Sequence, residues 1–253
     1  MDTPQPALFK VLLIGDSCED EYIYGRCERI SPEAPVPVMN FTKIELKKGM
    51  ASNVHSNLLS FGIFVDFLTN SEKLIKTRFI DEKSNQQLLR VDREVNITPM
   101  DLPPKLNQYD AIVISDYNKG YISDEVLIKL VELSVCPIFI DSKKITLPKS
   151  KKCFIKINDL EYSKLIDKNY PNLIITKGSS GCIYNNTIYP AEKVKVYDVV
   201  GAGDTFLAAL VYGYLTYNNI ERAIILANKA AGIAVQHPGT YVLTQENVKS
   251  LCD

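Results

Sequence analysis

Two rhythms of apolar and polar positions run along this chain. Residues 8–14 are almost wholly apolar and end in Gly15-Asp16, the pattern of a strand buried on both faces that feeds a loop. Within 36–46, the run Phe41-Thr42-Lys43-Ile44-Glu45-Leu46 alternates residue by residue, which predicts a strand with one wet face. Residues 51–60 predict a short helix, 63–69 another strand, and 77–91 a hairpin or two extended segments. From 111 onward the rhythm is regular. Strands are predicted at 111–115, 137–141, 153–157 and 172–176, with helices at 123–134 and 159–168. A β segment follows over 182–197, then helices at 203–217 and 220–236. Strands separated by helices specify an α/β fold whose mostly parallel sheet is covered on both faces. The extended pieces near 20–47 and 77–92 break that alternation and predict a small accessory sheet. No repeat or long linker divides the chain, so one domain over 1–253 is expected.

Composition narrows the class. Apolar residues make up 46% and charged residues 23%, which excludes a disordered or fibrous chain. Lys plus Arg number 29 against 30 Asp plus Glu, so charge gives no reason to expect a nucleic-acid or anionic-membrane partner. No apolar run approaches the ~20 residues that span a bilayer. The start, MDTPQPALFK, lacks a basic region followed by an apolar stretch and a cleavage site, so a cytoplasmic protein is expected. The six cysteines contain no C-x-x-C pair and there are two histidines; a disulfide frame, a zinc site and a His-rich metal centre are all disfavoured. Lys149-Ser150-Lys151-Lys152 reads as a solvated loop.

Candidate chemistry concentrates in Asp198-Val199-Val200-Gly201-Ala202-Gly203-Asp204-Thr205-Phe206. Here a strand ends, small residues turn the chain, and a helix begins with Asp204 in its first turn. Gly201, Ala202 and Gly203 let backbone N–H groups at a helix N-terminus approach an anion. A carboxylate beside a phosphate is repelled, and its natural task there is to accept the proton of a hydroxyl attacking phosphorus. The bland alternative is an Asp that favours the helix dipole, with glycines serving the turn.

D-x-x-G-A-G-D at the start of a late helix resembles the signature of the PfkB, ribokinase-like carbohydrate kinases. The resemblance implies a three-layer α/β/α sandwich with a small β lid, Asp204 as catalytic base, and Gly201, Ala202 and Gly203 as the anion hole. Gly15-Asp16-Ser17-Cys18-Glu19-Asp20 resembles the family's first loop, with Asp20, and more weakly Asp16, at the sugar hydroxyls. The run 29–38 (Arg-Ile-Ser-Pro-Glu-Ala-Pro-Val-Pro-Val), Asn85-Gln86-Gln87-Leu88-Leu89-Arg90 and Ser115-Asp116-Tyr117-Asn118-Lys119-Gly120 are similar to one branch, the D-glycero-β-D-manno-heptose 7-phosphate kinases. The implied reaction moves the γ-phosphoryl group of ATP to the anomeric hydroxyl of that sugar phosphate, giving the 1,7-bisphosphate. Gly49, Asn53 and Arg90 then belong to the acceptor side. Asn158 and Glu161 match N-x-x-E, with Glu161 holding Mg2+ through water. Thr176, Lys177, Gly178 and Gly181 line the nucleotide loop, Asn228 the adenine pocket, and Lys143, in D-x-K after Asp141, the phosphates. The implied cofactors are ATP and Mg2+, with a monovalent cation left open, and lid strands of such kinases pair into homodimers.

Three departures stand out. The family's G-G-x-x-N reads Gly49-Met50-Ala51-Ser52-Asn53, and Met50 is expected to intrude on the sugar, to fill space left by a missing unit, or to turn away and pack under the lid. The abrupt segment 67–76 implies a deleted βα unit. The heptose branch is often fused to a nucleotidyltransferase, and with the chain stopping at Asp253 a kinase alone is expected. The acceptor phosphate needs a cation, and Arg26, Arg29, Lys47, Arg78 and Arg90 all remain open. No G-x-G-x-x-G follows the first strand and no P-loop motif occurs, which disfavours a dinucleotide oxidoreductase and a P-loop kinase. Two readings remain: an active sugar kinase, or a weakened homologue that binds nucleotide or sugar.

Overall fold

The computed structural model describes residues 9–252. The start of the first predicted strand, Leu8, and most of the amino-terminal stretch read above lie outside the described residues.

The main sheet holds β1 (Lys10–Gly15), β4 (Phe64–Thr69), β7 (Ala111–Asp116), β8 (Ile138–Ser142), β9 (Cys153–Asn158), β10 (Leu173–Thr176), β11 (Cys182–Tyr184) and β12 (Thr187–Tyr189). Their order is β12-β11-β10-β9-β8-β7-β1-β4, parallel from β4 to β10 and antiparallel at the β11 and β12 edge. A second sheet, ordered β3-β2-β5-β6, is the lid: β2 (Ser17–Ile30), β3 (Pro37–Met50), β5 (Leu74–Asp81) and β6 (Gln86–Arg93). Six α-helices lie among the described residues: α1 (Ala51–Ser60), α2 (Asp124–Leu133), α3 (Asp159–Lys164), α4 (Ala202–Tyr217), α5 (Ile220–Ala234) and α6 (Gln245–Cys252).

The strands of the main sheet are apolar on both faces because both faces are covered. Val11, Leu13, Val113, Phe139 and Phe154 pack against α1, α4 and α5 on one side. Leu12, Ile14, Ile112, Ile114, Ile138, Ile140 and Ile155 pack with α2 residues Leu127, Leu130 and Val131 on the other. The three-layer sandwich expected from the alternation is therefore present, with the lid beside it. Buried apolar side chains of this kind each contribute about 1.5–3 kcal/mol, and they fix where every strand's carboxyl end stands.

Several elements differ from the sequence expectation. The helix expected over 159–168 stops at Lys164, because Leu165 turns back into the α2-side core. The β segment 182–197 is a short hairpin to Tyr189 followed by irregular chain to 197. The helix α6 has no counterpart in the expected list; it is short and mostly polar, and periodicity marks such a helix weakly.

The segment 67–76 contains a crossing of four residues between β4 and β5. Asn70 holds it to the start of the lid: its carbonyl accepts from Ser17 N at 2.7 Å, and its amide donates to Ser17 O at 3.2 Å and Glu72 O at 2.6 Å. Thr69 Oγ1 donates to Ser17 Oγ at 2.6 Å. Met50 lies just beneath, buried with Cys18, Leu74 and Ile97. Its contacts are those of a side chain packed under the base of the lid. Its backbone has φ 57° and ψ −134°, a region that L residues enter under strain.

Candidate active site

Parallel strands direct their carboxyl ends to one edge of the sheet, where open α/β sheets bind ligands. Asp16 follows β1, Tyr117 follows β7, Asp141 and Asn158 lie at the ends of β8 and β9, and the N-terminus of α4 faces them. Gly201, the residue before α4, has φ 77°, and a Cβ there would lie 2.7 Å from the Asn53 amide nitrogen. That close approach explains why glycine is needed. The turn is held by Asp198, whose two carboxylate oxygens accept from Val200 N at 3.0 Å and Gly239 N at 2.8 Å. Ala202 N–H reaches Val199 O at 3.3 Å, whereas the next N–H groups of the first turn have no intrahelical partner and face outward as donors.

Asp204 is 4% exposed. Asn53 Nδ2 donates to its Oδ2 at 3.0 Å, and the Tyr117 hydroxyl donates to its Oδ1 at 2.9 Å. Burial pushes its pKa up to about 6; the donors Asn53 and Tyr117 and the Lys156 ammonium pull the other way, and Asp141 adds to the rise. A carboxylate titrating there is poised to take a proton near neutral pH. Tyr117, half-buried, has its hydroxyl pKa raised by burial and then by the Asp204 charge, so it stays a donor. The motif Ser115-Asp116-Tyr117-Asn118-Lys119-Gly120 contains Tyr117 but predicts no role for it. Lys143 and Lys76 stand over its ring at 4.2 and 5.4 Å.

The lid supplies the facing wall. Asp20 (3% exposed) pairs with Arg78 Nη2 at 3.2 Å, and Arg78 Nη1 reaches Gln87 Oε1 at 3.3 Å. Arg78 Nε is buried and has no hydrogen-bond partner among the described residues, nor has the Tyr22 hydroxyl. Gly49 lies opposite Cys18 in the β2–β3 ladder, and a Cβ on it would lie 2.2 Å from Asp20 Oδ2. The Cys18 thiol, pushed up to about 12 by burial first, senses the charges of Asp20, Lys76, Asp204 and Arg78, so these four groups converge on it from lid and body.

Other expected site residues are placed differently. Asp16 spends both carboxylate oxygens on backbone, accepting from Lys119 N at 3.1 Å and Tyr121 N at 3.3 Å; it shapes the loop after β7 instead of facing a sugar. Arg90 is exposed on edge strand β6 and paired with Asp92 at 2.8 Å, so Arg78, its register partner, is the guanidinium that meets Asp20. Asn158 and Glu161 form a reciprocal capping box on α3, at 2.9 Å in each direction. This is the exposed helix start, and it uses one oxygen of Glu161. Lys177 pairs with Asp159 at 3.1 Å, while Thr176 Oγ1 donates to Ile157 O. Gly178 and Gly181 bracket a 3-10 turn, with a Gly181 Cβ only 2.0 Å from Tyr189 O. Asn228 donates to Tyr189 O at 2.9 Å and tethers the β12 end to α5.

Known proteins resemble this chain in sequence and in fold. A family model described as "pfkB family carbohydrate kinase" matches residues 158–247, the stretch that carries the α4 motif. The Bifunctional protein HldE of Nitratiruptor sp. is 32% identical over a 296-residue alignment covering 95% of this chain and 64% of its own length. That of Campylobacter jejuni (strain RM1221) is 30% identical, with the same two coverages. The chain thus spans a little under two thirds of these relatives. Among solved structures, ribokinase from Thermotoga maritima superposes with TM-score 0.71 at 15% identity, covering 97% of this chain and 99% of its own. Phosphofructokinase-2 from Escherichia coli in complex with potassium also gives 0.71, at 14% identity and 97% and 98% coverage. Fold, motif and relatives agree: residues 158–247 match the pfkB family of carbohydrate kinases, and the chain is similar to such kinases over nearly its whole length.

Proposed function

We propose that this ATP-dependent sugar kinase phosphorylates the anomeric hydroxyl of a heptose 7-phosphate, D-glycero-β-D-manno-heptose 7-phosphate being the first candidate. The observation that carries the reading is a buried base held by two donors together with, at the root of the lid, a buried Asp20–Arg78 pair with a spare guanidinium N–H, both close enough to act on the Cys18 thiol. A guanidinium suits a phosphate, and Asp20 suits sugar hydroxyls. The heptose-like segments around Gln86 and Tyr117 and the HldE relatives support that acceptor over an unphosphorylated sugar.

In the proposed mechanism the acceptor is held by Asp20 and Arg78, and its hydroxyl is directed at Asp204. Asp204 takes the hydroxyl proton as the new P–O bond forms and the bond to ADP breaks. First-turn N–H groups of α4 receive the charge spread over the equatorial oxygens. Asn53 orients the base instead of reaching the sugar directly. Mg2+ fits this site as a phosphate-borne ion: it keeps several waters and needs one or two carboxylates, and Glu161 has one oxygen outside its capping box. Among the described residues no cluster of three ligating side chains offers a site built by protein alone. When bound, Mg2+ neutralises charge on the transferring phosphates. Lys143 stands ready over Tyr117 on the same side.

The lid also supports a homodimer. Its cleft-facing register positions are Asp20, Tyr22, Lys47, Lys76 and Arg78, whereas Ile44, Leu46, Leu89 and Val91 fall on the other face, 39–59% exposed. An apolar sheet face of this kind asks for a partner, and a second lid is the one the family resemblance implies. No described helix is long and apolar enough to cross a membrane; the free thiols fit a reducing cytoplasm.

The test is ADP release with MgATP and a panel of acceptors: heptose 7-phosphate, fructose 6-phosphate, ribose and a nucleoside, each with and without potassium. Turnover with heptose 7-phosphate, and a new anomeric phosphate signal by 31P NMR, support the reading. A clear preference for another acceptor overturns it.

A further inference from the structure

One buried charge is left over by this mechanism. Lys156 sits in β9 beyond Ile155, the last residue of that strand in register with β8, and Asp141 occupies the matching place beyond Ile140. Both side chains face α4, because Phe154 and Phe139, two residues earlier on each strand, pack on that side. Lys156 is 4% exposed and its ammonium meets Asp141 Oδ2 at 2.5 Å. A Cβ on Gly203 would lie only 2.9 Å from the same nitrogen, so the ammonium lies against the first turn of α4.

That is an unfavourable place for a cation. A helix N-terminus carries about half a positive charge and repels an ammonium, and burial adds a desolvation penalty. Burial lowers the Lys156 pKa, but Asp141, with Glu161 and Asp204 further off, more than offsets this, and the net direction is upward. The side chain therefore stays charged. Asp141 is its single recorded hydrogen-bond partner, and an ammonium has three donors. A purely structural ion pair gains nothing from standing at the helix terminus. This one is set where the anion hole, the base and the end of the sheet meet.

We infer that Lys156 is a further catalytic residue, whose ammonium donates to the transferred phosphoryl group from beneath the α4 anion hole. Asp141 holds it there and keeps it from pairing with Asp204. The step stays balanced: the P–O bond to ADP breaks, the bond to the acceptor oxygen forms, the hydroxyl proton goes to Asp204, and Lys156 remains protonated throughout. The inference rests on the kinase reading but not on the identity of the sugar.

Lys156→Met alone leaves Asp141 buried and unpaired, so the informative variant is Lys156→Met/Asp141→Asn, which removes both charges. It is compared with wild type and Lys156→Arg in three measurements: melting temperature, kcat and KM for ATP, and affinity for MgADP with and without aluminium fluoride, a mimic of the transferring phosphoryl group. The double variant is expected to melt within a few degrees of wild type and keep the ATP KM within about threefold. Its kcat should fall by about 10²–10³, and the gain in affinity from aluminium fluoride should disappear. Lys156→Arg should recover part of both losses. A folded double variant with wild-type kcat and an undiminished gain makes the pair structural and overturns the inference. A wild-type protein that shows no gain from aluminium fluoride overturns it too. If wild type shows the gain but does not turn over heptose 7-phosphate, only the acceptor reading fails, because the aluminium fluoride comparison needs no sugar.

Discussion

Replacing the base should make this protein more stable while disabling it. Asp204 has its pKa raised from 3.8 to about 6, chiefly by burial. An acid raised in this way binds its proton more tightly in the folded chain. Its charge therefore costs nothing below the unfolded value, and the cost grows as pH climbs between 3.8 and 6 and is complete above 6. The difference of 2.2 units, from 6 minus 3.8, corresponds to about 3 kcal/mol at 1.36 kcal/mol per unit. Asp204→Asn keeps the shape and removes the charge. Its carbonyl can accept from Asn53, and its amide can donate to the Tyr117 oxygen once that hydroxyl turns, so no buried group is stranded. At pH 8 the variant should melt roughly 6–12 °C above wild type, taking about 2–4 °C per kcal/mol for a chain of this size. Near pH 4 the two curves should converge. Differential scanning calorimetry at pH 4, 6 and 8 reads this directly, and a kinetic assay on the same samples should show kcat down at least ~10²-fold. In wild type, kcat should rise with pH through about 6 as the base loses its proton. A variant that melts below wild type at pH 8, or a difference independent of pH, refutes the account of Asp204 as a destabilised buried charge.

Met50 carries two opposing contributions: its buried side chain stabilises by about 2–5 kcal/mol, while its positive φ costs about 1–3 kcal/mol. Met50→Gly should lose the first and relieve the second, whereas Met50→Ala loses the first and keeps the strain; the expected melting order is wild type, then Gly, then Ala, and an Ala variant above Gly removes the strain argument. Arg78→Lys keeps a countercharge for Asp20 but loses the free Nε–H and the planar fork, so the KM for heptose 7-phosphate should rise about tenfold with ATP KM unchanged; equal rises in both point to lid misfolding. Leu46→Glu with Leu89→Glu should turn a lid dimer into monomers by sedimentation velocity, and a wild-type chain already monomeric at high micromolar concentration rejects the lid interface.

The alternation of apolar strands and helices was enough to read the parallel sheet, because strands buried on both faces leave continuous apolar runs such as 111–115. The lid was legible as the place where that alternation failed. Asp204 and its glycines were legible because a turn, a helix start and a carboxylate coincide within seven residues. The partners of Asp204 were harder to see. Tyr117 and Asn53 come from elements 87 and 151 residues distant and meet it only in the fold. Lys156 gave no signal at all: in a run reading Cys-Phe-Ile-Lys-Ile-Asn it looks like the polar edge of a strand, and only the packing of Phe154 against α4 shows which way it faces. Arg90 and Arg78 were equivalent as letters, and strand position separates them, since β6 is an exposed edge and β5 lies inside the lid sheet. Asp16, in the loop after β1, and Asn228, on α5, both bond backbone, a use their letters do not reveal. A polar side chain at a loop is as ready to satisfy buried backbone as to meet a ligand.

The four-residue crossing held by Asn70 has a mechanical consequence. Side chains near this root, Cys18, Asp20, Tyr22, Leu74, Thr77 and Arg78, are buried, while most of β3 before Lys47 and the outer third of β2 are open to solvent. The lid is therefore a cantilever, clamped at Ser17, Asn70 and Met50 and progressively softer toward Ile30 and Pro37. Bending such a beam moves its tip far and its root little. Asp20 and Arg78 stand close to the clamp, so the acceptor site proposed for them does not depend on where the tip lies.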